Sequence, residues 1–232
     1  MRNGARVVLS DVQEEKGRAT AAELGPEAFF VPCDISDAAR VRALFAAVEE
    51  RYGRLDIAVN NAGINSGSPE ERVTVDEYSE ELWHRIVNVD LNGTFYCCKA
   101  EARIMARQGS GAIVNIASIA GVVPLRLQIG FVAAKAGIIR MTEAMACELG
   151  PKGIRTNCVS PGSTLVQGTR QLFYNNKEVA ERLVSFIPQG RPGETDEIAA
   201  AVLFLVSDAG SYVNGHNLIV DGGWTCGFSR DF

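Results

Sequence analysis

No apolar run in this 232-residue sequence reaches the roughly eighteen residues that a membrane-spanning helix needs, so helical insertion into a bilayer is excluded. Histidine occurs twice, at His84 and His216, and the six cysteines are scattered through apolar segments with no CxxC pair. That pattern offers no metal-ligand spacing, and no metal site is expected. Scattered thiols of this kind suit a reducing compartment, and "MRNGARVVLSD" does not read as a signal peptide, so a cytoplasmic protein is expected. Basic residues are also in the minority. With 23 Lys and Arg against 28 Asp and Glu, the net charge of −5 removes the electrostatic grip that nucleic acid or anionic lipid requires. Repeats, low-complexity tracts and linkers are missing as well. What remains is 47% hydrophobic and long enough to bury one core, so a single domain over residues 1–232 is predicted, with small molecules or copies of itself as partners.

Short β-branched runs recur through this chain: "ARVVLS", "AFFVPC", "DIAVNN", "GAIVNIAS", "IRTNCVS" and "NLIVDGG". Between them lie segments with helical spacing. In "DAARVRALFAAVEERYG", Val41, Leu44, Phe45 and Val48 share one face and Gly53 is a natural stop. Strands that are apolar on both faces and alternate with helices predict an α/β fold, a doubly wound parallel sheet with helices on both faces. The irregular stretches "NSGSPEERVTVD" and "SPGSTLVQGTRQ" follow strands directly, which puts them at the carboxyl edge of the sheet, where open α/β folds bind ligands.

In dinucleotide folds a Gly-rich turn after the opening strand holds the pyrophosphate, and an acid about twenty residues on takes the ribose hydroxyls. Here Asp11 closes the first visible strand in the acid's position, and no such turn precedes it. The usual first strand is therefore expected to be missing. The strands at "ARVVLS" and "DIAVNN" must then pair directly or borrow a strand, because each unpaired buried backbone group costs about 1–3 kcal/mol.

Five motifs in fixed order carry a resemblance that spans Ala5 to Gly223: "NNAG" at Asn60–Gly63, "IVNIAS" ending at Ser118, the lysine of "FVAAK", "IRTNCVSPG" at Ile154–Gly162, and "VDGG" at Val220–Gly223. The chain resembles the short-chain dehydrogenase/reductase family, which has a Rossmann-like fold. The resemblance implies that Ser118 donates a hydrogen bond to the substrate oxygen, and that a tyrosine thirteen positions on exchanges the proton. It also implies that Lys135 lowers that tyrosine's pKa. The thirteenth position after Ser118 is Phe131, which has no ionisable group. A second departure is Asp90, which takes the place of the family's catalytic asparagine, while Asn88 and Asn92 point elsewhere on the helix. Asp90 is either a structural partner of Lys135 or a base tuned by a dry pocket.

The same resemblance places Asp11, Asp34, Ile35, Asn60, Ala62, Gly63, Lys135, Pro161, Gly162 and Thr164 on NAD, with Asp11 repelling the 2′-phosphate of NADP. Without the Gly-rich loop, binding of NAD is put in doubt. Tyr96 and Tyr174 are substitute proton carriers to weigh against packing roles. The loop from Ser163 to Asn176 carries Arg170 and Gln171 as polar readers of substrate. In the family the two helices corresponding to "DLNGTFYCCKAEARIMAR" and "FVAAKAGIIRMTEAMACEL" pack across subunits, which implies a dimer or tetramer.

Three functional readings follow. Loss of both the pyrophosphate site and the tyrosine favours a redox-inactive enzyme that moves a proton in isomerisation, dehydration or cyclisation, with Ser118, Lys135 and Asp90 as its donor, cation and base. The alternatives are an NAD-dependent alcohol dehydrogenase or ketoreductase represented by a truncated, tyrosine-to-phenylalanine chain, and a non-catalytic protein that pairs with an active relative.

Overall fold

The computed structural model describes residues 4–65 and 68–227. All six apolar runs form strands: β1 (Val7–Asp11), β2 (Ala28–Pro32), β3 (Ile57–Asn60), β4 (Gly111–Ile116), β5 (Ile154–Pro161) and β6 (Asn217–Val220). The helices between them are α1 (Glu14–Leu24), α2 (Ala38–Tyr52), α3 (Glu80–Ile86), α4 (Thr94–Gln108), α5 (Ile129–Leu149), the single turn α6 (Gln167–Thr169), α7 (Lys177–Val184) and α8 (Thr195–Val206). α2 shows how the local sequence sets an element. The Asp37 carboxylate accepts from the N–H groups of Ala39 and Arg40, a cap worth about 1 kcal/mol, and Gly53 closes the helix at φ +67°. Its apolar stripe of Val41, Leu44, Phe45 and Val48 is buried as the spacing predicts.

Every strand pairing is parallel. β4 and β5 are the core strands, with Ile113, Val114, Ile154 and Val159 at most 1% exposed. Each such side chain contributes about 1.5–3 kcal/mol through burial. α2 and α4 pack together through Phe45, Cys97 and Ile104. α4 also packs with α5 against β3, β4 and β5 through Met105, Met141 and Leu149. α8 packs Leu205, Ile198 and Val202 on Val114 and Val159. The α/β class with parallel strands and covering helices is therefore the observed one.

The sheet is in two pieces, β1-β2 and β3-β4-β5-β6. Direct pairing of β1 with β3, one of the two outcomes anticipated, does not occur. A slot of about 210 Å³ separates them, walled by Val8, Ser10 and Asp11 of β1 and by Ile57 to Asn60 of β3. Leu44, Phe45, Val48, Cys97 and Glu101 also line it. With no described strand on that edge, Ile57 and Val59 are 43% and 44% exposed, unlike the buried residues of β4 and β5.

Candidate active site

The carboxyl ends of β3, β4 and β5 open into a cavity of about 1210 Å³. Its lining brings together Gly63, Ser118, Phe131, Lys135, Pro161, Gly162 and Thr164 from the residues singled out in the sequence. Each is placed by its element. Ser118 lies just past β4 in extended backbone at φ −170°, and its Oγ accepts from the Ala120 N–H at 3.1 Å, which starts the turn Ile119–Gly121. A Cβ on Gly121 would come within 2.7 Å of the backbone of Lys135, so glycine there lets the serine turn sit directly on α5. Phe131 and Lys135 are one helical turn apart near the start of α5, which stacks them on the same face.

Lys135 is buried, and three contacts fix it. Its Nζ lies 3.1 Å from Asp90 Oδ2, donates to the Ile116 carbonyl at 3.3 Å, and sits 5.5 Å from the centre of the Phe131 ring. Asp90 is fully buried, and its Oδ1 accepts from the Ile64 N–H at 2.7 Å. Burial pushes the Asp90 carboxyl above its ordinary range, against the opposing pull of Lys135 and the Ile64 N–H. The residue stands in a π-helical turn, Val87–Gly93, in which Asp90 and Gly93 are the buried positions. Asn88 is exposed and accepts from Asn92 Nδ2 at 2.8 Å, so both point away as expected. Gly63 presses against the pair: a Cβ there would come 3.1 Å from Lys135 Nζ and 3.2 Å from Asp90 Oδ2. Asp90 thus anchors Lys135 and, through Ile64, the loop beyond β3.

Other singled-out residues are placed apart from the cavity. Asp11, Ile35, Asn60 and Ala62 line the slot. The Asp11 carboxylate accepts from the Gln13 N–H at 2.8 Å. Asp34 lines neither space: its Oδ1 accepts from the Ser36 hydroxyl at 2.7 Å and the Ser36 N–H at 2.9 Å, and these bonds hold its pKa below the usual carboxylate value. Tyr96 packs into the α2–α4 cluster, and the Tyr174 hydroxyl pairs with Ser163 Oγ at 2.6 Å, so neither stands free beside Phe131. Arg170 and Gln171 are exposed and do not line the cavity, and His84 and His216 are exposed.

Sequence reasoning missed a buried polar network at the root of the slot. Asn60 Nδ2 donates to Asn115 Oδ1 at 2.9 Å and to Glu101 Oε2 at 3.0 Å, and Asn115 Nδ2 donates to Thr142 Oγ1 at 2.9 Å. The available signal was a carboxylate on the apolar stripe of α4, beside Cys97, Cys98, Ile104 and Met105. Burial raises the Glu101 carboxyl from the ordinary 4.5 to about 8, with the Asn60 amide opposing. Because the folded-state value is the higher one, the folded protein holds this proton after the unfolded chain has lost it. Stability therefore falls as pH rises from about 4.5 towards 8, and levels off above that. Glu101→Gln is expected to stabilise the protein on the order of 1–3 kcal/mol at about pH 9 and much less at about pH 5. Urea unfolding at the two pH values measures this, and an equal effect at both would contradict the assignment.

A serine, a buried lysine–carboxylate pair and a glycine-lined approach thus meet at the carboxyl edge of a parallel sheet, the edge at which open α/β folds bind ligands. A family model described as enoyl-(acyl carrier protein) reductase matches residues 1–225. The trans-4-hydroxycyclohexanecarboxylate dehydrogenase of Sinomonas cyclohexanicum is 40% identical over 97% of this chain and 85% of its own length. The D-threitol dehydrogenase of Mycolicibacterium smegmatis is 37% identical over 96% of this chain and 84% of its own. Among solved structures, a gluconate 5-dehydrogenase from Burkholderia cenocepacia J2315 in complex with NADP and tartrate superposes with a TM-score of 0.91 at 32% identity, over 98% of this chain and 88% of that one. The chain belongs to the short-chain dehydrogenase/reductase family.

These relatives correct the redox-inactive reading. Near full-length similarity to dehydrogenases at 37–40% identity supports an oxidoreductase rather than an isomerase, dehydratase or cyclase. The physical reason is that a phenol hydroxyl serves the proton step alone, while the type of reaction is set by hydride transfer to a cofactor beside the carbinol carbon. The doubt about nicotinamide binding loses its support in the same way, since a close structural neighbour holds NADP.

Proposed function

We propose that the protein is an NAD-dependent dehydrogenase or ketoreductase acting on a small secondary alcohol or its ketone. The observation that carries this reading is the convergence of Ser118 and the anchored Lys135 on one cavity at the sheet's carboxyl edge. The residues present fit a nicotinamide cofactor at two places. Asp11 offers an exposed carboxylate at the end of β1 for ribose hydroxyls, and Gly63, Pro161, Gly162 and Thr164 offer a cavity wall without bulk for the nicotinamide end. The first turn of α1 carries Glu14 and Glu15, which oppose a pyrophosphate there, so no phosphate contact is assigned to that helix. When bound, the cofactor supplies the hydride acceptor.

The chain's own residues do the rest. Ser118 Oγ donates to the substrate oxygen and orients the carbinol. Lys135, fixed by Asp90 and the Ile116 carbonyl, lends positive charge where oxygen charge develops. Phe131 stands at the position where the family keeps its proton carrier, and its ring packs against Leu82, Ile86 and Ala134. The ring seals that wall of the site without moving a proton, so in this reading the carbinol's hydroxyl proton passes to water in the open cavity as the hydride leaves.

Asp11 sets the choice of cofactor in this reading. Asp11→Ala is expected to move the NAD/NADP preference towards NADP by about tenfold, or ~1.4 kcal/mol, because a carboxylate beside the 2′-phosphate is removed. Calorimetric titration of both cofactors tests it. Unchanged preference removes Asp11 from the site, and no binding of either cofactor by the parent protein removes the reading.

A further inference from the structure

Charge is scarce in the cavity wall. Among the described lining residues only Glu23 and Lys135 ionise. Lys135 is committed to Asp90, so its charge is balanced inside the wall. Glu23 is exposed in the last turn of α1, where its carboxylate repels anions. An anionic substrate entering this cavity would give up water and meet no unpaired cation among these residues, which is costly. The wall therefore selects uncharged compounds.

The polar groups of the wall differ in what they still offer. Thr169 is spent: its hydroxyl accepts from the Val166 N–H at 3.0 Å and donates to the Thr164 carbonyl at 2.5 Å. Ser118 Oγ accepts from the Ala120 N–H and keeps its own proton to donate. Asn65 is half-buried, and its side chain bonds to none of the described residues. Neither polar atom of that amide is closed off by protein, so both its N–H donors and its carbonyl acceptor stay open to a ligand.

The chain holds Asn65 beside the reacting groups. Gly63 lies against Lys135 Nζ, and the Ile64 N–H is held by Asp90 Oδ1 at 2.7 Å. Asn65 follows directly, so the carboxylate that anchors the lysine also anchors its backbone. Two residues of chain span at most about 7 Å, which keeps the amide close to the carbinol that Ser118 and Lys135 bind. Two other uncharged groups of the wall lack this tie: Asn61 faces the slot as well, and Thr195 belongs to the first turn of α8. An amide matches a hydroxyl in kind, since each can donate and accept at once.

We propose that Asn65 is a specificity residue that binds a second oxygen of the substrate, so that the substrates are uncharged diols or hydroxyketones whose second oxygen stands one or two carbons from the reacting carbinol. This rests on the dehydrogenase reading for the reaction, and on the uncharged wall and the open Asn65 amide for the substrate class. The second oxygen is bound and is not itself oxidised.

The test compares four-carbon substrates: butane-2,3-diol and butane-1,3-diol, butan-2-ol without the second oxygen, and the anions 2- and 3-hydroxybutanoate. The better diol is expected to exceed butan-2-ol about tenfold in kcat/KM, the effect of one hydrogen bond, and the anions on the order of a hundredfold. N65L should erase the diol preference through KM and leave butan-2-ol unchanged, with N65A as the second variant if N65L misfolds. N65K, which puts a cation at the same place, should raise kcat/KM for the hydroxybutanoates about tenfold. Binding is read separately by saturation-transfer NMR on the fully methylated tertiary diols, which have no carbinol hydrogen to give. Tertiary-diol binding that N65L weakens, without turnover of any compound, would uphold the Asn65 site and sink the dehydrogenase reading. Turnover with the anions used as well as the diols, or a diol preference that survives in N65L and N65A, would overturn the proposal and leave the dehydrogenase reading standing. Neither turnover nor tertiary-diol binding by the parent protein would overturn both.

Discussion

Phe131→Tyr is expected to raise kcat for alcohol oxidation by about 10²–10⁴-fold, the usual contribution of a positioned general acid–base group. The ring lies within the cavity wall with Lys135 Nζ 5.5 Å from its centre, so a phenol hydroxyl there gains both the substrate oxygen and a neighbouring cation. Lys135 favours the phenolate and draws the new hydroxyl's pKa down towards working pH. The rate of the tyrosine variant should therefore rise with pH through that lowered pKa, while the parent lacks this limb. A steady-state pH–rate profile of both proteins checks it. An equal rate in the two would mean that the proton leaves by another route and that position 131 is packing alone.

The second large effect concerns stability. Lys135→Met removes one partner of a buried pair and leaves Asp90, fully buried, without its counter-charge. Breaking such a pair costs about 3–5 kcal/mol. The variant's Asp90 carboxyl should rise further, so its deficit grows as pH climbs and shrinks as the carboxyl takes up a proton. Denaturant unfolding of the variant across pH reads this directly. A deficit below about 1 kcal/mol at every pH would show that the pair is solvated and contributes as little as a surface bridge.

The six strands were legible because parallel strands buried on both faces leave continuous β-branched runs, as in "GAIVNIAS" and "IRTNCVS". The partners of β1 and β3 were not, since pairing is a tertiary matter and the apolar pattern of each run is the same whether its edge is filled or open. The positions of Ser118, Phe131 and Lys135 on one cavity were legible from motif spacing. Separation of Asp11, Asn60 and Ala62 into the slot was hidden, because it depends on how far apart β1 and β3 stand.

The π-helical turn under Asp90 was equally hidden, since α and π windings differ in hydrogen-bond register and not in residue type. Glu101 is visible in the sequence as a carboxylate on an apolar stripe, but its partner Asn60 lies 41 positions away, beyond the reach of any local spacing rule. The redox-inactive reading rested on the absence of a hydroxyl at Phe131, and similarity to dehydrogenases along nearly the whole chain overturns it.

The central claim is hydride transfer to a nicotinamide cofactor in the Ser118–Lys135 cavity. It is tested most directly by incubating the Phe131→Tyr protein with NAD and a secondary alcohol deuterated at the carbinol carbon, then weighing the cofactor by mass spectrometry. The expected result is reduced cofactor carrying one deuterium, lost on Ser118→Ala. Unlabelled cofactor, with the alcohol returned unchanged across a range of small hydroxy compounds, would contradict the account.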